Sequence, residues 1–220
     1  MGQSVSGVGV VDKSMAVLDA VARADRPLGL ADLVGATGLP RATAHRLASA
    51  LAVHGLLHRT DEGRFALGAR LVGLGHAAAA GWPVAAVARP HLVDLCRRTG
   101  ESAQLYVRED EQRVCLVSIE SPHELRTIVA EGARLPLAVG SAGRLLAGER
   151  PDEGWTASVE ERARGVASVS AAVRDGAGRI VAAVGISGPV GRVGADPGAT
   201  YGPAVRAAAI AIERDVADRG

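Results

Sequence analysis

Apolar positions recur at helical spacing through roughly the first hundred residues, and from Ser102 the period shortens to that of strands. The helical part predicts a first helix over about Lys13–Ala24, with Asp12 as a possible N-cap and Met15, Leu18 and Val21 on one face. A second helix over Leu30–Thr37 carries Leu30, Leu33 and Val34 as its apolar stripe. Gly38 then supplies a turn, and Pro40 suits the first position of a third helix, where its missing N–H has no partner to lose. On that third helix Ala44, Leu47, Ala48 and Leu51 point inward, with Arg41, Ala42, His45, Arg46 and Ser49 on the other side. Leu56–Arg59 and Arg64–Leu67 flank Thr60-Asp61-Glu62-Gly63, the pattern of a short hairpin.

Helix, tight turn, helix and hairpin in this order describe a winged helix-turn-helix, which places its second helix in the major groove of DNA. Charge agrees with that reading. Between Gly38 and Thr60 there is no Asp or Glu, while Arg41, Arg46, Arg59, His45, His54 and His58 fall there, so the surface suits a polyanion. Arg59 and Arg64 on the hairpin are placed to reach phosphate or the minor groove. The plainer alternatives are a solvated amphipathic helix and arginines that merely protect an edge strand.

Further along, Ala69–Ala80 is helical in pattern and is broken at Gly81-Trp82-Pro83, and a longer helix follows over Pro83–Thr99. Strands are predicted at Ala103–Arg108, Arg113–Ile119 and Leu125–Ala130, then a hairpin of Val166–Val173 with Ile180–Ser187, then a closing helix over Gly202–Ala217. Strand pairs bracketed by helices make an α+β domain with an antiparallel sheet. Within it, Gly140-Ser141-Ala142-Gly143 is a turn opening a helix, whose N–H groups favour an anion such as a carboxylate. Ser168, Ser170 and Ser187 alternate along strands and can share one cavity. A structural turn and a small-residue core explain the same residues without a ligand.

Composition narrows the picture further. A chain of 220 residues with 48% hydrophobic content can build one or two proper cores, rich in Ala, Val and Leu. The net charge of +1 shows that the basic character is local. Cys96 and Cys115 lack metal spacing and read as buried thiols of a reducing compartment. No signal peptide and no membrane-length apolar run appears, so a soluble, cytoplasmic protein without cofactor or metal is expected. An enzyme is the competing class. No His-Glu metal pair, nucleophile elbow, nucleotide fingerprint or phosphate loop supports it. His91 and Cys96 are off-face on their helix, and Glu160 and Glu161 are adjacent on a loop.

With those residues in place, the chain resembles the IclR family of bacterial transcriptional regulators over nearly its whole length. GVGVVDKSMAVLDAV, ATGLPRATAHRLASAL and GRFALGARLVGL resemble that family's winged helix-turn-helix. TGESAQLY, LPLAVGSAGRLL, GVASVSAAVRD and VAAVGISGP resemble its effector-binding domain, and TGESAQLY with GVGVVDKS is similar to the NdgR-type actinobacterial branch that controls leucine and other amino-acid biosynthesis. The resemblance implies a flexible tail over 1–9, a DNA-binding domain over 10–68, a linker helix over 69–82 and a GAF-like effector domain over 83–220. It implies a homodimer or dimer of dimers on double-stranded operator DNA, contacted by Arg41, Thr43, His45 and Arg46, to which the residue pattern adds Ser49 on the same helix and Arg59 and Arg64 on the wing. It further implies a small carboxylate or amino-acid-pathway effector lined by Gly140, Ser141, Ala142, Ser158, Ser168, Gly185 and Ser187. Two departures from the family pattern concern that pocket: the segment between Gly148 and Val166 is short, and Gly185 stands where Ser is frequent. The expected function is therefore a metabolite-tuned regulator, most simply a repressor, with a constitutive DNA binder lacking a working pocket as the alternative.

Overall fold

A computed structural model describes residues 7–218, and the chain divides into two compact units, one ending at Gly81 and the other starting at Trp82. The first unit contains α1 (Gly9–Ala22), α2 (Leu30–Thr37), α3 (Arg41–Val53), β1 (Leu57–Arg59), β2 (Phe65–Leu67) and α4 (Arg70–Ala80). Of the expected tail, residues 1–6 lie outside the described residues, and Gly9 is already helical. Asp12 is consequently not the N-cap. The carbonyl of Val8 accepts from the N–H groups of Val11 and Asp12, which places Asp12 in the first turn, where its charge favours the positive end of the helix.

The turn between α2 and α3 follows from local chemistry. Gly38 adopts φ 68°, a left-handed conformation open to glycine, and its N–H closes α2 on Val34. Pro40 sits one position earlier than expected, as the N-cap of α3 rather than its first helical residue. Val17, Leu33, Leu47, Leu51, Leu57 and Phe65 form the core of this unit. Phe65 is fully buried, and its backbone N–H and carbonyl both pair with Leu28, so the wing is tied to the segment before α2. The helix α4 has no buried residue.

The second unit contains α5 (Pro83–Thr99), β3 (Ser102–Glu109), β4 (Gln112–Ile119), β5 (Arg134–Pro136), α6 (Ser141–Leu146), β6 (Thr156–Val159), β7 (Val166–Arg174), β8 (Ile180–Pro189), α7 (Val190–Val193) and α8 (Pro197–Ala217). The strands form one six-stranded sheet in the order β5-β4-β3-β8-β7-β6, with every pairing antiparallel. Leu105, Val107, Val169, Ala171, Val173, Val184 and Ile186 face one way and pack with Leu92, Leu95, Val205, Ala209 and Ile212 of α5 and α8. Tyr106, Cys115 and Ala183 belong to a smaller cluster on the other face, with Leu145 and Leu146 of α6.

The expected architecture, a helix-turn-helix unit followed by an α+β domain with an antiparallel sheet, is the observed one. Besides the bounds of α1, several element assignments differ, and β5 and α7 were not expected. Leu125–Ala130 is not a strand: the edge of β4 is taken there by a side chain, since Ser118 N–H donates to the Glu131 carboxylate. Backbone pairing resumes only where Gly132 and Ala133 bond to Cys115, and β5 follows. The closing helix starts at Pro197 rather than Gly202, because Asp196 caps it by accepting from Ala199 N–H at 3.1 Å. The segment Gly148–Val166 contributes β6, an edge strand paired with β7.

Phe65→Ala removes the largest fully buried side chain of the first core and should destabilise the chain by about 3–5 kcal/mol. Urea unfolding followed by circular dichroism measures it, and a loss below 1 kcal/mol would mean that the wing does not depend on this anchor.

Candidate DNA-binding face and ligand cavity

Helix α3 divides as its sequence pattern requires. Ala44, Leu47, Ala48 and Leu51 are buried, while Arg41, Ala42, His45 and Arg46 are exposed. Thr43 and Ser49 are half-buried at the margin of that face. Among the described residues, Arg41, His45 and Arg46 have no ion pair, so their donors face solvent uncommitted. The wing arginines differ from them and from each other. Arg59 is exposed and stacks on the Phe65 ring, 5.0 Å from its centroid. Arg64 is engaged by Asp32 at 3.5 Å and by Glu62 at 3.4 Å. Asp32 also receives Arg26 and the Gly29 N–H, and these donors hold its carboxyl below the usual range, the Gly29 bond first among them.

In the second unit, pairing register assembles what the sequence scatters. One row across β3, β8, β7 and β6 reads Gln104, Gly185, Ser170, Thr156, and the neighbouring row reads Ser102, Ser187, Ser168, Ser158. Above the rows lies the turn into α6, where Ser141 Oγ is 2.8 Å from both Ser168 Oγ and Ser170 Oγ. A cavity opens between rows and turn. Gly140, Ser141, Ala142, Ser158, Ser168, Gly185 and Ser187, the candidate effector residues, all line it, as does Ser170. Its interior, ≈ 20 Å³ for the centre of a water-sized sphere, holds about one water. Counting the mouth open to solvent, the empty space between lining atoms is ≈ 420 Å³.

Two features depart from the sequence reading. The Gly140 N–H, expected to favour a ligand anion, already donates to the Glu161 carboxylate at 3.0 Å, and Arg144 binds the same carboxylate. At Gly185, a Cβ would lie 2.3 Å from Ser170 Oγ and 2.4 Å from the Val169 carbonyl. The hydroxyl missing from β8 is thus supplied by Ser170, its cross-strand partner on β7.

Sequence reasoning missed Gln104, Tyr106, Arg113 and Arg162, which also line the cavity. Gln104 and Tyr106 were legible in principle as the alternate positions of the apolar strand AQLYV. Nothing local marks Arg113 as buried. It is 3% exposed because Nη1 donates to the Pro136 and Val139 carbonyls, distant in sequence, while the guanidinium lies 5.4 Å from the Tyr106 ring centroid. Burial lowers the Arg113 pKa from its ordinary value, and the charge of Arg162 pushes the same way. Burial raises the Cys115 thiol to about 12, and its side chain packs with Tyr106, Leu145 and Ala183.

A basic, unpaired recognition helix joined to a domain with a small polar cavity is the construction of a DNA-binding transcriptional regulator. Residues 10–61 match the IclR helix-turn-helix domain, and residues 76–153 and 149–214 match the C-terminal domain of bacterial transcriptional regulator IclR. The chain belongs to the IclR family. The two pieces of the second match meet at 149–153, within the short segment. The glycerol operon regulatory protein of Streptomyces griseus is 29% identical, with 94% of this chain and 95% of that protein covered. The transcriptional repressor IclR of Escherichia coli is 23% identical over 90% and 86%. Among solved structures, Thermotoga maritima IclR shares the fold with a TM-score of 0.73 at 18% identity, covering 95% of this chain and 99% of that one. An IclR homolog from Microbacterium hydrocarbonoxydans complexed with 4-hydroxybenzoate does so at 0.72 and 22%, covering 96% and 100%.

Gly185→Ser should destabilise the protein by about 1–3 kcal/mol through overpacking on Ser170 and Val169. Thermal unfolding of the variant tests this, and an unchanged midpoint would show that β7 and β8 relax apart at no cost.

Proposed function

We propose that this protein represses metabolic genes by binding a two-fold operator through α3, and that a small metabolite in the second unit's cavity tunes that affinity. The observation that carries this reading is the acid-free face of α3, where Arg41, His45 and Arg46 are exposed and, among the described residues, have no ion pair. Arg41 and Arg46 would read guanine edges or hold phosphate, Thr43 and Ser49 would bond phosphate from the margin, and Arg59 would follow the wing. Arg64, committed to Asp32 and Glu62, would contribute less than the others. A ligand alters operator affinity only if it binds one arrangement of the regulator better than another. The resemblance to the amino-acid branch favours target genes of amino-acid metabolism. A second reading is a constitutive repressor, favoured by an interior with room for about one water.

A two-fold operator requires a two-fold protein. The apolar side chains that would join two copies are on α1 and α4, where Val10, Val11, Met15, Val72 and Leu74 are exposed. We assign these faces to contact with a second copy of the chain.

Two measurements test these statements. In fluorescence anisotropy with DNA from upstream of its own and neighbouring genes, Arg46→Ala should weaken operator binding by about 1–3 kcal/mol and lower the salt slope, with a smaller effect from Arg64→Ala. Equal, steeply salt-sensitive binding to operator and scrambled DNA would overturn sequence-specific regulation. In sedimentation velocity, the wild type should be dimeric or larger, and Val72→Asp with Leu74→Asp should yield monomers whose operator affinity falls by roughly tenfold or more. A monomeric wild type would remove the two-fold mechanism.

A further inference from the structure

Two glycines bring the end of α3 against the start of α4. Gly55 adopts φ 71°, left-handed, and turns the chain out of α3, with its N–H donating to the Ala52 carbonyl and the Leu56 N–H to Leu51. Gly68, which follows β2, lies directly on that turn. A Cβ at Gly68 would stand 2.7 Å from the Gly55 carbonyl carbon and nearer still to its oxygen, and backbone has no flexible end that could yield. The Gly68 N–H donates to the Leu56 carbonyl at 2.9 Å. Arg70, the first residue of α4, then reaches back twice. Its N–H donates to the Gly55 carbonyl at 3.3 Å, and Nη1 donates to the His54 carbonyl at 3.0 Å. Its stem lies along Gly55, where a Cβ would meet Arg70 Cβ at 3.4 Å. A guanidinium in this place satisfies a carbonyl that the helix end leaves free and complements the negative pole of α3. Beyond its first turn α4 has little else to hold it, since none of its residues is buried.

We infer that Arg70 is a positioning residue for DNA binding: with Gly55 and Gly68 it fixes the angle between α3 and α4, and so the spacing at which two copies of α3 meet the operator. The inference rests on the reading that α3 enters the DNA and that α4 joins two copies. Where a second copy holds α4, α3 is aimed from this joint. The 11 residues of α4 span about 16 Å at about 1.5 Å each. A tilt of about 10° at the joint therefore displaces one end against the other by roughly 3 Å, close to the ~3.4 Å rise of one base pair. A recognition helix shifted by one base pair presents Arg41 and Arg46 to the wrong edges. The guanidinium of Arg70 is committed to the end of α3, so its part is to aim the helix that carries those two arginines.

The test compares the full chain with Arg70→Met, which keeps an apolar stem and the helix propensity but removes the donor, and with Arg70→Lys, which retains a donor for the His54 carbonyl. Nitroxides at Ala42→Cys on α3 and Ala77→Cys on α4, both exposed positions, report the distance between the helices by pulsed electron spin resonance. Cys96 and Cys115 are buried, and excess unlabelled chain limits the reading to a single copy. The wild type and Arg70→Lys should give one narrow distance distribution, and Arg70→Met one roughly twice as wide or more. The second readout is anisotropy on the upstream fragment that the wild type binds most tightly, with one or two base pairs inserted or removed between its half-sites. The wild type should lose roughly tenfold or more in affinity on each of these fragments, while Arg70→Met should bind all lengths within about threefold. An unchanged distance distribution in Arg70→Met would overturn the inference whatever the oligomeric state. If that came with a uniform loss of affinity and a shallower salt slope, Arg70 would be a phosphate contact instead. A widened distribution with the wild-type spacing profile would overturn the role in operator spacing. A monomeric wild type in which Arg70→Met still widens the distribution would remove the two-fold reading and leave the joint standing.

Discussion

The second unit depends on the register of its central strands. Because β3, β8, β7 and β6 pair without slip along their inner stretch, alternate positions on each strand fall into rows, one face aliphatic and the other small and polar. Side-chain alternation in a strand has a period of two, so a one-residue slip would turn Val169, Ala171 and Val173 toward the turn of α6 and the serines toward α5 and α8. The aliphatic face, closed by two long helices, supplies the apolar burial that holds the register. The polar face is then free to carry residues that contribute little to the core. It is small enough for the turn into α6 to approach within hydrogen-bond distance of two strands.

The same logic of commitment and release organises charge in the first unit. Asp32 gathers Arg26, Arg64 and a backbone N–H near the start of α2. That cluster fixes the segment before α2 near the wing, which Phe65 anchors from beneath. Among the described residues the arginines of α3 have no such partner, and a cation left unpaired at a surface is available to a polyanion. Asp32 and Glu62 thus engage Arg64 of the wing and, among the described residues, leave the arginines of α3 without an ion pair.

The short segment between Gly148 and Val166 has its own architecture. Trp155 packs into the main core, β6 completes the sheet edge, and Glu161 reaches across to Gly140 and Arg144. The cavity that results is tight and lined by arginine. A tight pocket discriminates among ligands by charge and size more sharply than a roomy apolar one, because any polar group it fails to partner remains desolvated.

Much of this protein was legible along the chain. The bounds of α2 and α5, the turn at Gly38, the hydrophobic side of α3 and the β7–β8 hairpin follow from local periodicity, caps and turn residues, which act over a few residues and need no distant partner. That Ser168, Ser170 and Ser187 share one cavity follows from alternation along strands, while Gly140 and Ser141, on the turn into α6, were expected there through the family resemblance. Tertiary structure alone decided that Arg113 is interior, that Ser170 supplies the hydroxyl absent at Gly185, that Arg64 is tied to Asp32, and that Leu125–Ala130 yields the edge of β4 to a glutamate. Each of these depends on a partner 13 to 32 residues away, at Glu131, Gly185, Pro136 or Asp32. A pattern read along the chain registers the polarity of a residue, but its burial and pairing are set by chain segments that meet only on folding.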